Sequence, residues 1–160
     1  MGRIARSLAV IVGAVIALSG CGLAIPADPH GTLDQVRDGS LRVGVSANPP
    51  WTDTHDDREP SGIEPRLVQR FADELNAEVE WTEGGESTLV SALERGELDI
   101  VIGGILDDTP WVDQAAMTLP YTDSTSEHGD RERHVMLTRM GENAFLVELE
   151  RFLLGNGGVT

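Results

Sequence analysis

The sequence predicts an α/β fold, a small, mostly parallel sheet with flanking helices. Three observations carry this. Strand and helix signals alternate as strand, helix, strand, helix, strand across residues 41–102, the order that builds a parallel sheet with crossover helices. The run Leu98-Asp99-Ile100-Val101-Ile102 is nearly all apolar, as expected of a central strand buried on both faces. Removing a leader of 20 residues from the 160 leaves 140 (160 − 20), enough for one domain with a real core.

That leader has three zones. Arg3 and Arg6 open it, residues 8–18 are apolar apart from Gly13, and Leu18-Ser19-Gly20-Cys21 closes it. Charged start, short apolar run and small-residue closure are the layout of a secretory signal, and the run is short for a membrane span. The closure resembles a lipobox, so residues 1–20 are expected to be removed and Cys21 to carry lipid through its sulfur. Cys21 is the only cysteine, which excludes an internal disulfide. The expected location is the extracytoplasmic face of the cell membrane. The chain carries a net charge of −15, and losing the two leader arginines takes it to −17 (−15 − 2). Such a surface repels phosphate backbones and anionic headgroups, so a nucleic-acid partner is excluded and any membrane attachment rests on the lipid.

Residues 21–40 read as a tether and a short helix. Two prolines and two glycines in residues 22–31 suggest a flexible stretch, and Thr32 is placed to cap a helix that Gly39 stops. A single lobe is expected over residues 41–155, with 156–160 as a tail. Residues 41–45 form the first strand, and Pro49-Pro50 then forbids both helix and central strand. Residues 52–62 are polar and end in Pro60-Ser61-Gly62, a turn signal. Leu67, Val68, Phe71 and Leu75 share one face of a helix over residues 64–76. Residues 77–82 alternate as a strand. Ser87 is placed to cap a helix over residues 88–95, with Leu89, Val90 and Leu93 inward and Gly96 as its stop. A short helix should start at Pro110, capped by Asp108 or Thr109. Residues 118–122 are extended, 123–132 are polar and read as a surface loop, and 134–138 are a strand. Asn143 is placed to cap a last helix whose buried face holds Phe145, Leu146, Leu149, Phe152 and Leu153, with Gly155 ending it.

The segments LRVGVSANPPW, PSGIEPRLVQRFADELNAEVEW, LVSALERGELDIVIGG and LPYTDS, in that order over residues 41–124, resemble the family-3 extracellular solute-binding proteins. These feed amino acids and similar solutes to ABC importers. The resemblance implies a solute-binding lobe like that of periplasmic binding proteins. It also implies a small-molecule solute, with an ABC permease or another envelope protein as partner. The family has two lobes, the second beginning near residue 123, and this chain has no room for it, so a single lobe is expected. By the same resemblance Asn48 and Trp51 stand where the first loop meets ligand, and Gly103 and Gly104 where the strand backbone approaches it. Asp108 and Trp111 complete the candidate set. Each has a plainer structural reading, as packing, turn, or cap.

The departures bear on the ligand. Leu106 stands where the family has Ser or Thr, and Trp111 near where an Arg clamps an α-carboxylate. Asp107 and Asp108 would oppose an anion more strongly than a helix start attracts one. A cationic or neutral solute is therefore expected. Arg66 stands where the family commonly has an acid. The acids around His55 read as a solvated loop rather than a metal site, and His128 and His134 have no fixed spacing. No phosphate loop, Cys/His cluster or catalytic triad spacing is present, so neither a cofactor nor an enzyme is expected. A competing reading is an envelope interaction module, which an exposed apolar patch around Trp51, Ile105 and Trp111 would favour.

Overall fold

The computed structural model describes residues 27–55 and 59–156. The leader and Cys21 lie outside the described residues. The chain runs α1 (Thr32–Val36), β1 (Ser40–Val45), α2 (Ile63–Glu74), β2 (Glu78–Glu83), α3 (Glu86–Glu94) and β3 (Ile100–Ile102). A short 3-10 turn (Pro110–Asp113), β4 (Ala116–Met117), β5 (Thr122–Thr125), β6 (Arg131–His134), β7 (Leu137–Thr138) and α4 (Asn143–Asn156) follow.

Five strands form one sheet in the order β2-β1-β3-β7-β4. β1 is parallel to both β2 and β3, while β7 is antiparallel to β3 and β4. The order places the apolar run of β3 inside the sheet, and all three of its residues are buried. Ile100 and Ile102 face one core with Leu41, Val43 and Val45. Val101 faces the other with Leu89, Val90 and Leu93. The two-residue side-chain period thus feeds two hydrophobic layers from one strand.

The larger layer holds α1, α2 and α4. Phe71 of α2 packs edge-on to Phe145 at 5.9 Å between ring centres and lies 5.4 Å from Phe152, joining the two helices. Each such fully buried side chain contributes about 1.5–3 kcal/mol. On the other face a Cβ on Gly44 would come within 3.1 Å of Leu89 of α3 and 2.8 Å of Leu98. The glycine is there because no side chain fits between helix and strand. Arg42 and Asp99 pin β1 to the approach of β3. The Arg42 guanidinium donates to both Asp99 oxygens, at 3.1 and 2.5 Å, and to the Gly96 carbonyl at 2.7 Å.

Several local expectations need correction. Residues 27–31 are not a free tether. The Ala27 carbonyl accepts from Asn143 N at 2.8 Å, and the Glu142 carboxylate accepts from His30 N and Thr32 N, both at 3.1 Å. Asp28 accepts from Leu33 N at 2.7 Å, so an acid from outside α1 caps it. α3 starts at Glu86 after Gly85, so its cap lies two residues ahead of the Ser87 expected, and α4 continues through Gly155 to Asn156. Thr109, not Asp108, precedes the Pro110 turn, without a side-chain cap.

The main correction concerns residues 123–132. They are not a loop but most of a β-hairpin. β5 and β6 pair in the register Thr122↔His134, Asp123↔Arg133, Ser124↔Glu132 and Thr125↔Arg131. No apolar alternation marks these strands, because Asp123, Thr125, Arg131 and Arg133 all face solvent. Ladder hydrogen bonds, not burial, hold most of this hairpin. The predicted strand over 134–138 is also interrupted. β6 ends at His134, and Val135 N turns to the Ile105 carbonyl at 2.9 Å before β7 enters the main sheet.

Candidate functional site

The carboxyl ends of β1 and β3 lie side by side, and both informative loops leave there. Ser46 N donates to the Ile102 carbonyl at 3.0 Å. A tight turn follows through the cis Pro49-Pro50 bond. It is closed by Asn48 N donating to the Thr52 carbonyl at 2.9 Å and by the Thr52 hydroxyl donating to the Ser46 carbonyl. Asn48 Nδ2 crosses to the Gly103 carbonyl at 2.7 Å. Gly104 has φ +64°, and a Cβ there would come within 2.6 Å of both Trp51 Cδ1 and Asn48 Nδ2. Asn48, Trp51, Gly103 and Gly104 are therefore in mutual contact. Any side chain at 104 would displace the indole.

Beneath them lies a residue that sequence reasoning left unassigned. Glu64, in the first turn of α2, has no exposure to solvent. Its Oε2 accepts from Gly103 N at 2.8 Å and Gly104 N at 2.9 Å, and its Oε1 meets the Tyr121 hydroxyl at 2.5 Å. Burial pushes this carboxyl above its ordinary range, against the three hydrogen bonds that favour its charge. Burial and the neighbouring Glu64 also push the Tyr121 phenol far up, so Tyr121 stays a hydroxyl. The signal was present as an acid in the first turn of an amphipathic helix, but nothing in the spacing says that it points inward.

Above them lies His134, at the end of β6 and 1% exposed. Its ring stacks on Trp51 at 3.7 Å between centroids and 30° between planes. It also bridges to Leu106, and Asp107 N donates to the Arg133 carbonyl at 3.0 Å. Ser124 Oγ lies 2.8 Å from His134 Nε2 and 3.0 Å from Glu132 Oε2. The single hydroxyl hydrogen goes to the Glu132 carboxylate, so Nε2–H donates to Ser124 Oγ. Nδ1 is then the bare nitrogen. It is buried without a formed hydrogen bond, close to the Gly104 backbone. Such a group costs about 1–3 kcal/mol. Burial holds the His134 pKa below its ordinary value. The grouping is not a nucleophile triad. The carboxylate touches the serine, not the histidine, so no acid orients the imidazole to take the serine proton.

The outer candidates lie apart from this cluster. Trp111 is half-buried against the α3 layer, and its indole N–H donates to Glu86 Oε2 at 3.0 Å. Asp108 is exposed, while Asp107 is paired with Arg133. Ile105 is only 4% exposed, so the open apolar patch considered for Trp51, Ile105 and Trp111 does not form. A cavity of about 340 Å³ separates Leu106, Asp107 and Asp108 from the hairpin turn at Ser126, His128 and Asp130. A larger open trough of about 690 Å³ lies at the opposite pole, by Asp38, Asp73 and Glu78, away from every candidate residue. Among the described residues no three His, Cys, Asp or Glu side chains are grouped to hold a metal, and no helix is long and apolar enough to cross a membrane.

A parallel α/β lobe with two turns meeting at its strand ends is the build of a ligand-receptor half. Residues 41–154 match the bacterial extracellular solute-binding proteins, family 3, and the chain belongs to that family. An arginine-bound, singly substituted domain 1 from TmArgBP shares the fold with a TM-score of 0.69. The identity is 22%, over 79% of this chain and 99% of that one. An ancestral cationic amino acid solute binding protein, AncCDT-1, has a TM-score of 0.66 at 16% identity, over 78% of this chain and 93% of that one. In sequence, 86 residues are 35% identical to membrane-bound lytic murein transglycosylase F of Vibrio cholerae. They make up 52% of this chain but only 16% of that protein, so this chain spans about a sixth of that relative's length.

Proposed function

We propose that this chain is an exported, lipid-anchored solute receptor. It takes a cationic or neutral amino-acid-like solute at the carboxyl ends of β1 and β3. It serves import through an ABC permease or another envelope protein. The observation that carries the reading is the contact of the Asn48–Trp51 turn with Gly103–Gly104, where the strand ends of an α/β sheet form a ligand crevice. Asp108 is exposed at the rim and favours a cation, while Asp107 is already paired with Arg133. One lobe gives a solute less enclosure than two closing lobes. The lobe that this chain covers almost completely, domain 1 from TmArgBP, is itself described as arginine-bound. Trp51 supplies a face for a planar cation.

Calorimetric titration of the mature protein with arginine and with glutamate tests the reading. Arginine is expected to bind and glutamate not. Tight glutamate binding, or no response to cationic and neutral amino acids, would sink it. Cys21→Ser is expected to move the protein from the membrane fraction to the soluble one, and continued membrane retention would remove the lipid anchor.

A second reading, an envelope interaction module without transport, draws on one observation. Glu64 already occupies the Gly103 and Gly104 amides, and His134 already covers Trp51. The same titration separates the two.

A further inference from the structure

We propose that His134 is a built-in occupant of the solute subsite. The β5–β6 hairpin would then act as a lid that must lift before a planar cationic solute can stack on Trp51. This rests on the receptor reading above and adds to it the site's resting state.

Three features place the ring there. It lies over Trp51 at 3.7 Å with 30° between planes, its residue bridges to Leu106, and it lies against the Gly104 backbone. These are the surfaces a solute would need: the aromatic face, the glycine turn and the segment after β3. An imidazole is a planar nitrogen heterocycle, close in shape to a guanidinium and able to stack in the same way. The fit is incomplete, because Nδ1 is buried with no hydrogen bond. Lifting the ring into water would hydrate that nitrogen and relieve the defect, which favours exchange.

The lid is also weakly held. Its two strands form a sheet of their own, and two strands are marginal in water without further contacts. Beyond its own ladder β6 meets the lobe through the Trp51 stack, the Leu106 bridge, the Arg133–Asp107 contacts and the turn of Val135 onto Ile105. Opening it leaves β1 and β3 untouched and breaks one bond beside the Glu64 hub, Tyr121 N to the His134 carbonyl at 3.0 Å.

His134→Gly empties the subsite, and imidazole itself is the first probe. Millimolar imidazole is expected to raise the melting temperature of His134→Gly and leave the wild type unchanged. Arginine is expected to bind His134→Gly at least tenfold more tightly than wild type, and His134→Phe, which keeps the face covered, no more tightly than wild type. Equal arginine affinity in all three, with no imidazole response, overturns the occupant and leaves the receptor reading standing. No binding of either probe to any of the three removes both. Where His134→Gly fails to fold, amide exchange in the wild type decides. Arginine is expected to speed exchange at Thr122 and His134, and unchanged protection with arginine bound overturns the lid.

Discussion

At the pole where β1 and β3 end, two adjoining regions treat buried polar atoms in opposite ways. Below the glycine turn, the Glu64 carboxylate is fully enclosed and every hydrogen-bonding atom around it is matched: two amides, one hydroxyl, two oxygens. Above it, His134 is as deeply buried, yet one ring nitrogen has no partner. The lower network joins three separate elements, α2, the end of β3 and the segment before β5. The upper contact hangs on a hairpin whose outward faces are solvated. A matched buried network is rigid because losing any member strands the rest. An unmatched one is the place where a fold gives way first. The comparison separates the part of the site that is scaffold from the part that can move.

The largest expected effect tests the scaffold. Glu64→Ala strands the Gly103 and Gly104 amides and the Tyr121 hydroxyl, and should lower unfolding free energy by about 3 kcal/mol in urea titration. Glu64→Gln should cost about 1 kcal/mol or less, since its oxygen still accepts from both amides and its NH2 donates to Tyr121. Equal losses in both variants would mean that the negative charge, not the hydrogen-bond pattern, holds the junction.

A smaller effect distinguishes the regions by pH. The Glu64 pKa is raised in the fold by burial from its ordinary 4.5. The proton is thus held more tightly when folded, and this contribution to stability is full at low pH and lost as pH rises through the folded value. The His134 pKa is lowered by burial from its ordinary 6.5. Its contribution is present above 6.5 and lost as pH falls from there through the folded value. Glu132 and Asp123 on the hairpin and the Gly104 backbone oppose that shift, while the Trp51 stack helps to enclose the ring. The His134 part of the urea midpoint across pH 5–8 (about one unit or more either side of the ordinary histidine value) should fall toward the acid end, against the opposite trend of Glu64. His134→Phe should flatten that fall. A slope unchanged in His134→Phe would place the titrating group elsewhere.

The smallest effect concerns the hairpin surface. Arg131 and Asp123 form an exposed pair at 2.5 Å, and such pairs contribute little. Arg131→Ala should leave the denaturation midpoint unchanged. A clear loss would show that charge pairing, rather than the His134 contact, keeps the hairpin shut.

Much of the lobe was legible because its elements carry their own signals. The α2 stripe, the apolar β3 run and the α4 face bury side chains at helical or strand spacing, and burial imprints that spacing on sequence. The joining of the Asn48–Trp51 and Gly103–Gly104 turns followed from the parallel order of β1 and β3. The hairpin was not legible, since strands wet on their outward faces carry no apolar alternation. Nor were the partners of Asp28 and Glu142, which cap and clamp segments more than a hundred residues apart.

By itself, then, the amino-acid order determined the strand–helix alternation and the two turns at the strand ends. These depend on local chemistry and on periodicity within one element. Only the tertiary structure decided that Glu64 points inward beneath the glycines and that His134 closes over Trp51. Both are meetings of residues dozens of positions apart, and no spacing rule encodes which buried atom will find a partner and which will not.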